Sequence, residues 1–580
     1  MPKIIHEMLY ESYIHYPHNI ALQYKDAQEY RKLTYRELYE KVISLTITLQ
    51  KLGLKKGDKI AIFAENIPEW VIADMAILSI GAVVVPIYHK TNEKILTYII
   101  KDSEVKAIVS GSKENYGLLN KIKQKTPKLK YVLTFDDPYM KTFLSIRDAE
   151  AAEKNKVEIT EKDIATIVYT SGSTGIPKGV LLTHQNIISE IEPLILAMNI
   201  TQKDVVFSFL PLTHMFERVA GYYVPLSVGA SILHTNTVTT FAEEVQKIQP
   251  TYINTVPRFL EKLYETIIFK VDQKNLISRT LFYYALDIAK QYNTLFYAKK
   301  EIPFRIKLLY NTISKLIFLP VRRKFGNKFR FFVSGGAPLT IEIEEFFDAL
   351  GLLVLQGYGL TEAAPVVTVN TLQKRKRGTV GIPIADKIKI AQDGEILVQG
   401  PNIMKAYLHK IKETKKTLSE HWLHTGDIGM IDEEGFLHIT GRKKNLIVTS
   451  NGKKIAPEPI EEELIKSKYI TQAMLYGDYK SYITAIIVAD IDELMLLAKQ
   501  LDFKYNDNQQ LASHPAIKQL IETEVEKVNQ NLQDYEQIKK FVVIADEFTV
   551  ENNQLTTTLK MRRYNILKEY KKELDELYKR

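Results

Sequence analysis

The order of apolar and polar positions predicts a chain in which strands and helices alternate. Residues 33–53, LTYRELYEKVISLTITLQKLG, predict a helix that starts with a capping box from Thr34 to Glu37 and ends at Gly53. A turn at Gly57 and Asp58 leads into the short strand KIAIF. Five later strands are predicted to end in loops rich in glycine or hydroxyl groups. These strands are TIVYT, VVFSFLPL, YINTV, FRFFVSGG and LLVLQGYG.

Strand, loop and helix in repetition indicate a mostly parallel sheet with helices on both faces. In such sheets ligands bind beyond the carboxyl ends of the strands. We therefore expect the five loops to converge on one site. Near Gly400 the pattern changes to short antiparallel strands with glycine turns, predicted for DGEILVQGP, the segment around Asp427, and GFLHITG. From Gly441 the chain predicts a smaller α+β unit that ends in charged helices.

Composition restricts the chemistry more than the architecture. The chain has 580 residues, 45% hydrophobic and 25% charged, which is typical of a globular protein with more than one domain. It contains no cysteine. Disulfides, thiolate zinc sites, Fe–S clusters and a covalent enzyme thioester are therefore excluded, and any thiol in the chemistry belongs to a substrate. The formal charge of +9 is small for this length and does not indicate nucleic-acid binding.

No segment predicts a membrane crossing or a secretion signal. The longest apolar run, Met75 to Tyr88, has 14 residues with Gly81 and Pro86 inside it, so it is too short for a bilayer. It predicts a buried helix end, a turn and a buried strand. The start of the chain, MPKIIHEMLYESY, lacks an apolar core after a basic region. We therefore expect a cytoplasmic protein, and the sequence leaves its oligomeric state open.

Residues 299–330 are strongly basic. They contain ten lysines and arginines and one acidic residue, Glu301, interleaved with the apolar residues Phe304, Leu308, Leu309, Leu316, Ile317 and Phe318. Two interpretations stay open. The segment is suited to peripheral contact with an anionic membrane on its cytoplasmic face. It is also suited to a helical hairpin that covers the sheet and leaves a solvated basic face.

The loop TSGSTGIPKG, residues 170–179, has the chemistry of a phosphate-binding loop. Its ten residues include three glycines, four hydroxyl side chains and one lysine. Glycines let backbone N–H groups approach an anion, hydroxyls donate hydrogen bonds and the lysine supplies charge. The loop is not a Walker A motif, because Pro177 stands where that motif requires its second glycine.

This loop belongs to an ordered set of motifs. IVYTSGSTGIPKGVLLTH is followed by GYGLTE, HTGD, GRKKNLIVTSNGKKIAP and, near the end, QLTTTLKMRR. From about residue 33 to about residue 563 the chain resembles the adenylate-forming (AMP-binding) superfamily. PLTHMFERVAGYYVPLSVGA, INTVPRFLEKLYE and VSGGAPL are similar to the long-chain fatty acyl-CoA synthetase branch.

The predicted fold is α/β. It consists of a large N-terminal domain, residues 1–441, with mostly parallel sheets, covering helices and a small β-barrel-like part, and a smaller α+β domain, residues 442–580. The resemblance implies that the smaller domain is mobile and rotates about a hinge at Lys444.

The resemblance also implies an ATP and Mg²⁺ site. Lys178 and the loop hydroxyls would hold the β- and γ-phosphates, Tyr358 would stack on adenine, and Asp427 would accept the ribose hydroxyls with help from Arg442. Mg²⁺ would be held by Glu362 and Thr170. The full ATP/AMP set is Thr170, Ser171, Ser173, Thr174, Lys178, Gly335, Gly336, Ala337, Gly357, Tyr358, Gly359, Thr361, Asp427 and Arg442. Outside the resemblance, Tyr358 suits a core aromatic, Glu362 a helix-start acid and Asp427 a turn cap.

Three residues are implied in catalysis: Lys560, Thr361 and His214. Lys560 would bridge the acyl carboxylate and the α-phosphate, and Thr361 would contact the α-phosphate. His214 would line the acyl-carboxylate site, although a structural histidine at this position is an equal alternative. The sequence departs from the family at Thr557, where proline is usual, and at Asn552–Asn553, where Asn-Gly is usual. Both departures loosen the expected turn.

The remaining implied contacts concern the acyl chain and coenzyme A. An apolar acyl channel is expected from Phe216, Val219, Tyr222, Thr255, Val256 and Gly335, and a CoA contact from Asn451, Gly452 and Lys453. The implied reaction joins a long-chain fatty acid to CoA with ATP and Mg²⁺, through an acyl-adenylate. Two alternatives are a fatty acyl-AMP ligase that passes the acyl group to a carrier protein, and a non-catalytic lipid-binding protein on the same fold.

Overall fold

The first long helix shows how local sequence sets the element boundaries. It spans Tyr35–Lys51, and its capping box is formed as predicted: the Thr34 hydroxyl accepts the Glu37 N–H at 3.2 Å, and the Glu37 carboxylate accepts the Thr34 N–H at 2.8 Å. Gly53, just after the helix, has a φ of +74°, a conformation that glycine adopts without strain. The computed structural model describes residues 2–26, 29–135, 157–170, 176–235, 241–298, 300–384, 387–451, 453–501, 504–555 and 561–579.

Two large sheets organise most of the chain. In its described part, sheet A has nine strands, in the spatial order Ile382–Pro383, Val366–Val369, Leu353–Gly359, Phe331–Ser334, Tyr252–Thr255, Val205–Ser208, Ser231–His234, Ile20–Asp26 and Glu29–Thr34. The six strands from Leu353–Gly359 to Ile20–Asp26 run parallel, and the outer three are antiparallel to their neighbours.

In its described part, sheet B has seven strands, in the order Ala406–Tyr407, Lys178–Thr183, Ile164–Thr170, Val83–Tyr88, Lys59–Ala64, Ala107–Ser110 and Tyr131–Thr134. The five from Ile164–Thr170 onward are parallel, and the first two are antiparallel additions. The apolar run from Met75 to Tyr88 is a buried helix end followed by the strand Val83–Tyr88, as predicted.

The two sheets lie in layers with helices between and outside them. Neighbouring residues of a strand enter different cores: Phe331 packs in a core shared with Ile60 and Val84 of sheet B, whereas Phe332 packs against the helices on the far face of sheet A. A third core covers the other face of sheet B. The central strands of both sheets are therefore buried on both faces, which is why they are almost continuously apolar.

The helices of this layered part have the bounds Ile5–His15, Tyr35–Lys51, Pro68–Ser79, Glu93–Asp102, Tyr116–Gln124, His184–Met198, Val224–Ser227, Phe241–Ile248, Pro257–Asp272, Leu276–Tyr297, Phe304–Ile313, Leu319–Arg322, Ile341–Leu350 and Ile411–Thr417. Two segments, Glu217–Tyr223 and Ser314–Phe318, are π-helical. None of the described helices combines the length and the apolar character that a bilayer span requires.

The small β part predicted near Gly400 is a five-stranded sheet. Its strands are Lys387–Ile390, Glu395–Gln399, Trp422–Ile431, Leu418–Ser419 and, paired with Trp422–Ile431, Leu437–Arg442. Later in the chain, Ile447–Val448 pairs with Lys454–Ile455, and a three-stranded sheet is formed by Ile470–Tyr476, Ile483–Ala489 and Ile538–Ile544. The later helices are Pro457–Leu464, Ile491–Leu501, Asn508–Ala512, Pro515–Asn529 and Arg563–Glu576. The α/β fold class is confirmed.

The chain forms two compact units. The first contains Met1–Lys389, Leu397–Thr425 and Ile431–His438, and the second contains Ile390–Ile396, Gly426–Met430 and Ile439–Arg580. In the second unit, Ile487 and Leu475 lie in a core on one face of the three-stranded sheet, and Ile486 and Met474 lie in a core on the other. The single boundary between residues 441 and 442, and the mobility of the smaller domain, stay predictions.

The phosphate loop does not follow the predicted order of strand, loop and helix. The strand Ile164–Thr170 belongs to sheet B, and it is followed by the antiparallel strand Lys178–Thr183, not by a helix. Val180 and Leu182 of this second strand are fully buried, and its backbone pairs on both sides. The five loops therefore start from two sheets. Four of them follow adjacent strands of sheet A, and the phosphate loop connects a hairpin of sheet B.

Candidate active site

Four loops meet at the carboxyl ends of adjacent parallel strands in sheet A. Thr255 pairs in register with Ser334, and Ser334 with Gln356. The Gly335 N–H donates to the Thr255 carbonyl at 3.2 Å. A Cβ on Gly335 would lie 3.6 Å from both the Gly357 carbonyl oxygen and the Phe216 ring. The structure thus brings together residues predicted for ATP, Gly335 and Gly357, and one predicted for the acyl chain, Phe216.

The segment GYGLTE is fixed by close backbone contact. Tyr358 pairs with Thr368 of the antiparallel neighbour strand and is half-buried. A Cβ on Gly359 would lie 1.8 Å from the Pro365 carbonyl oxygen, so only glycine fits there. The Leu360 N–H then donates to this same carbonyl at 2.8 Å, and one 3₁₀ turn, Thr361–Ala363, follows. Thr361 and Glu362 are therefore presented on a rigid turn beyond a strand end.

The described ends of the phosphate loop face each other across the hairpin. Thr170 pairs in register with Lys178, and the Tyr98 hydroxyl donates to the Pro177 carbonyl at 3.2 Å. Ser171, Ser173 and Thr174 lie outside the described residues. The hairpin alone therefore places one predicted hydroxyl and the predicted lysine side by side.

Tyr407 connects this hairpin to Glu362. Its hydroxyl donates to Oε1 of Glu362 at 2.6 Å, and Lys178 Nζ lies 5.3 Å from the centre of its ring. Burial, followed by the negative charge of Glu362, raises the pKa of Tyr407, so the hydroxyl stays protonated and donates. Sequence reasoning missed this residue, since a lone tyrosine in a short strand carries no signal of its own.

The donors that the sequence predicts for Mg²⁺ fit that ion. They are a hydroxyl and a carboxylate, and Mg²⁺ prefers oxygen ligands. Among the described residues no group of three or more His, Asp or Glu side chains could hold a metal by itself. In the usual mode of Mg²⁺ binding, one or two carboxylates act together with substrate phosphates.

The predicted acyl residues divide into two sets. Phe216 and Val256 are half-buried beside the strand ends, and His214 is half-buried at the start of the same loop. Val219, Tyr222 and Thr255 are fully buried, and Tyr222 packs edge-on against Trp70 in the core between the sheets. The acyl contacts and the role of His214 stay predictions.

A buried polar group underlies this loop and was also missed. Glu217 is fully buried, and its carboxylate lies beside Ser208 and Asn254, which are buried as well. Burial raises the pKa of Glu217 to about 8. The next residue, Arg218, forms a buried ion pair with Asp74. The only signal in the sequence was a pair of charged residues inside the apolar run HMFERVAGYY.

The second unit holds the predicted ribose and hinge residues. Arg442 Nε lies 2.9 Å from Oδ1 of Asp427, whose side chain is 4% exposed, so the two residues are in contact, and their roles toward ribose stay predictions. Lys443 pairs with Asp393 at 2.6 Å and Glu395 at 2.8 Å, immediately before Lys444. Lys453 lies over the Tyr535 ring at 5.2 Å, and Asn451 is exposed. Gly452 and Lys560 lie outside the described residues.

A parallel α/β fold with phosphate-loop, carboxylate and aromatic groups at its strand ends defines a nucleotide-binding enzyme class. A family model for AMP-binding enzymes matches residues 10–408, and one for the C-terminal domain of AMP-binding enzymes matches residues 444–580. The chain therefore belongs to the AMP-binding enzymes, and the superfamily predicted from the motifs is confirmed.

Individual relatives cover nearly the whole chain. The long-chain-fatty-acid–CoA ligase FadD15 of Mycobacterium bovis is 30% identical over 94% of this chain and 92% of its own length. Long-chain-fatty-acid–CoA ligase 5 of Rattus norvegicus is 30% identical over 96% and 85%. The crystal structure of ATP-bound MatB from Rhodopseudomonas palustris is 22% identical and covers 100% of both chains with a TM-score of 0.73, so it shares the fold.

Proposed function

We propose that this protein is a long-chain fatty acid–CoA ligase that converts fatty acid, ATP and CoA into acyl-CoA, AMP and pyrophosphate. The observation that carries the proposal is the junction at Tyr407, whose hydroxyl donates to the carboxylate of Glu362 and whose ring lies 5.3 Å from Nζ of Lys178, the residue paired with Thr170. Relatives that match over most of the chain bear the name long-chain-fatty-acid–CoA ligase, which supports a long-chain fatty acid and CoA as the substrates of this proposal.

In this proposal the hairpin binds the leaving group. Lys178 and the hydroxyls of Thr170, Ser171, Ser173 and Thr174 hold the pyrophosphate, and Tyr358 stacks on adenine. Bound Mg²⁺ neutralises charge on the phosphates as it develops. Glu362 and Thr170 hold that ion, and Asp427, oriented by Arg442, accepts the ribose hydroxyls. Gly335, Gly336, Ala337, Gly357 and Gly359 let the nucleotide approach the backbone.

The first bond forms between a carboxylate oxygen of the acid and the α-phosphorus, and the bond from that phosphorus to pyrophosphate breaks. Lys560 cancels the repulsion between the two anions, and Thr361 contacts the α-phosphate. In the second step the CoA thiol, after losing its proton, attacks the acyl carbonyl and AMP leaves with the carboxylate oxygen. The chain has no cysteine, so the acyl group cannot rest on an enzyme thiol.

The two steps need different surroundings at the same site. We propose that the smaller domain, residues 442–580, rotates about Lys444 between them and brings Asn451, Gly452 and Lys453 to the thiol channel. The ion pairs of Lys443 with Asp393 and Glu395 anchor the backbone just before Lys444 and support a pivot that begins there.

Pyrophosphate release with a panel of fatty acids, with and without CoA, tests the proposal. Each buried methylene contributes roughly 0.8 kcal/mol, so kcat/KM should rise with chain length up to a limit. Palmitate should therefore outperform acetate and aromatic acids, and acyl-CoA should accumulate only with CoA. Acetate outperforming palmitate would refute the long-chain assignment. Acyl-AMP that reacts with a carrier protein and not with CoA would favour the acyl-AMP ligase, and no pyrophosphate with any acid would favour a non-catalytic lipid-binding protein.

We also propose that the basic segment touches an anionic membrane surface. Phe304 is 78% exposed, Leu308 55% and Leu316 72%, next to exposed lysines and arginines such as Arg305 and Lys307. Such a mixture suits an interface with anionic lipid. The segment also packs on its neighbour, as expected of a covering hairpin: Phe318 is fully buried, and Tyr310 stacks on Tyr292 at 4.0 Å. Lys299 lies outside the described residues.

Sedimentation with phosphatidylserine-containing vesicles tests this contact. Binding should occur at low salt, weaken as salt rises and be reduced by Phe304→Ser and Leu308→Ser. Leu196→Ser is the matched control, because Leu196 is 67% exposed on a different helix. An equal effect of all three substitutions, or no binding at low salt, would contradict the proposal.

A further inference from the structure

Tyr407 is held rigidly at the junction between sheet B and the Glu362 turn. Its backbone pairs with Val180, its N–H donates to the Thr414 hydroxyl at 3.0 Å, and the following N–H, of Leu408, donates to the Gly179 carbonyl at 2.8 Å. The residue is 8% exposed. Strand pairing fixes the direction of the Cα–Cβ bond of Tyr407, and burial of the ring leaves the phenol little room to turn away from Glu362.

The Glu362 backbone is tied to the same segment of chain. Its carbonyl accepts the Met404 N–H at 2.8 Å. Buried Asn402 donates to the Ala363 carbonyl at 3.0 Å and to the Glu190 carboxylate at 3.0 Å. Residues 402–407 thus hold both the turn that carries Glu362 and the phenol that bonds its side chain, so the distance between the two groups is fixed by the fold.

This arrangement leaves Glu362 with two unequal oxygens. The Tyr407 hydroxyl engages Oε1 at 2.6 Å, so the other oxygen, Oε2, is the one available to a cation. Mg²⁺ takes oxygen ligands at about 2.0–2.1 Å in near-octahedral geometry, whereas Ca²⁺ accepts six to eight ligands and often uses both oxygens of one carboxylate. A carboxylate with one oxygen already engaged by a hydroxyl therefore suits Mg²⁺ better than Ca²⁺.

We infer that Tyr407 is a positioning residue that makes Glu362 a one-oxygen ligand and thereby selects Mg²⁺ over Ca²⁺ in the nucleotide complex. The inference rests on the proposed function, in which Glu362 holds the metal of the metal–ATP complex. Residues that hydrogen-bond to metal ligands typically change metal affinity 10–100-fold when they are replaced.

The test is calorimetric titration with ATP in EDTA, in Mg²⁺ and in Ca²⁺. Tyr407→Phe removes the hydroxyl and keeps the ring beneath Lys178. The matched control is Tyr169→Phe in the same sheet, where the hydroxyl donates to Asp102 at 2.7 Å, a carboxylate outside the proposed site. The preference for Mg·ATP over Ca·ATP should fall about tenfold in Tyr407→Phe and stay at the wild-type value in Tyr169→Phe. Affinity for metal-free ATP should be the same in all three proteins.

Each other outcome has a defined meaning. An unchanged Mg²⁺ preference in Tyr407→Phe, or an equal loss of affinity with and without metal, would overturn the positioning role and leave the proposed function intact. A wild-type protein that binds ATP under none of the three conditions would overturn the proposed function itself. Wild-type protein also gives a measurement that needs no variant: it should bind Ca·ATP at least about tenfold more weakly than Mg·ATP, and equal affinities would overturn the inference.

Discussion

Replacing Arg218 by methionine should destabilise the first unit by about 3–5 kcal/mol, because it leaves a carboxylate alone in the core. Arg218 and Asp74 are both 0% exposed. The guanidinium also donates to the Thr166 hydroxyl at 2.8 Å, and Asp74 accepts the Tyr223 hydroxyl at 2.8 Å. Burial raises the pKa of Asp74 and the guanidinium opposes that rise, so removing the guanidinium removes the main support for the charge.

A double variant, Arg218→Met with Asp74→Asn, separates the interaction energy of the pair from the contribution of each residue. Asp74→Asn keeps an acceptor for Tyr223 and removes the charge that Arg218→Met strands. The loss in the double variant should therefore be smaller than the sum of the two single losses by about 0.5–3 kcal/mol, the usual range of coupling for contacting residues. Arg258→Met is the control, because Arg258 pairs with Glu261 at 3.0 Å at the surface, where such pairs are worth about 1 kcal/mol or less.

Trp70 can report the unfolding of the core that contains Arg218 and Asp74. The protein has two tryptophans, and Trp70 is fully buried with the Arg218 guanidinium 5.3 Å from its ring. In a Trp422→Phe background, urea unfolding followed by tryptophan fluorescence reports this core alone. A double variant that loses the sum of the two single losses would refute the coupling. A loss for Arg218→Met no larger than for Arg258→Met would refute the burial argument.

Three further predictions concern Glu217, Lys560 and Lys444. Glu217→Gln should stabilise the protein at neutral pH: the pKa of Glu217 is raised from 4.5 to about 8, so the stability it supplies is complete below pH 4.5 and is lost as the pH rises through 8. The free energy of unfolding of the variant should exceed that of wild type by an amount that grows between pH 5 and 8. At roughly 1.4 kcal/mol per pKa unit, this difference reaches about 3 kcal/mol at pH 7. Curves of stability against pH that run parallel for the two proteins would contradict the prediction. Lys560→Ala should slow pyrophosphate release about a thousandfold and spare CoA-dependent use of supplied acyl-AMP, and equal losses would remove its assignment. Lys444→Pro should impair the thioester step more than adenylation, because proline fixes φ near −65°, and wild-type rates in both would show that the pivot lies elsewhere.

The residues that we propose to contact substrate were predictable because they stand in short motifs. Glycines, hydroxyls and a lysine within ten residues indicate a phosphate loop whatever surrounds them, and a capping box such as Thr34 with Glu37 is complete within four residues. The chain after Thr170 departs from the predicted order of strand, loop and helix for the opposite reason. Lys178–Thr183 becomes a strand because Ile164–Thr170 lies on one side and Ala406–Tyr407 on the other, and the latter is more than 200 residues away in the chain.

The side of residues 299–330 that is buried was likewise not determined by the local sequence. In residues 299–330 the apolar positions suit an amphipathic helix, and nothing within the segment distinguishes Leu316, which is 72% exposed, from Phe318, which is 0% exposed. The difference comes from Phe282 of the preceding helix, whose ring packs edge-on against Phe318. A pattern therefore predicts that a helix has an apolar face, whereas only its neighbours decide how much of that face is covered.

The same distinction explains why Tyr407 and Glu217 were missed while Glu362 and Lys178 were not. Glu362 and Lys178 stand within the short motifs GYGLTE and TSGSTGIPKG, whose residue types indicate their chemistry. A residue that orients another side chain needs only to reach it. Glu362 and Tyr407 are 45 positions apart, and the hydroxyl that fixes the carboxylate is delivered by strand pairing with Val180. Such support becomes visible only when the sheets are assembled, and it determines how well the residues of the motifs can work.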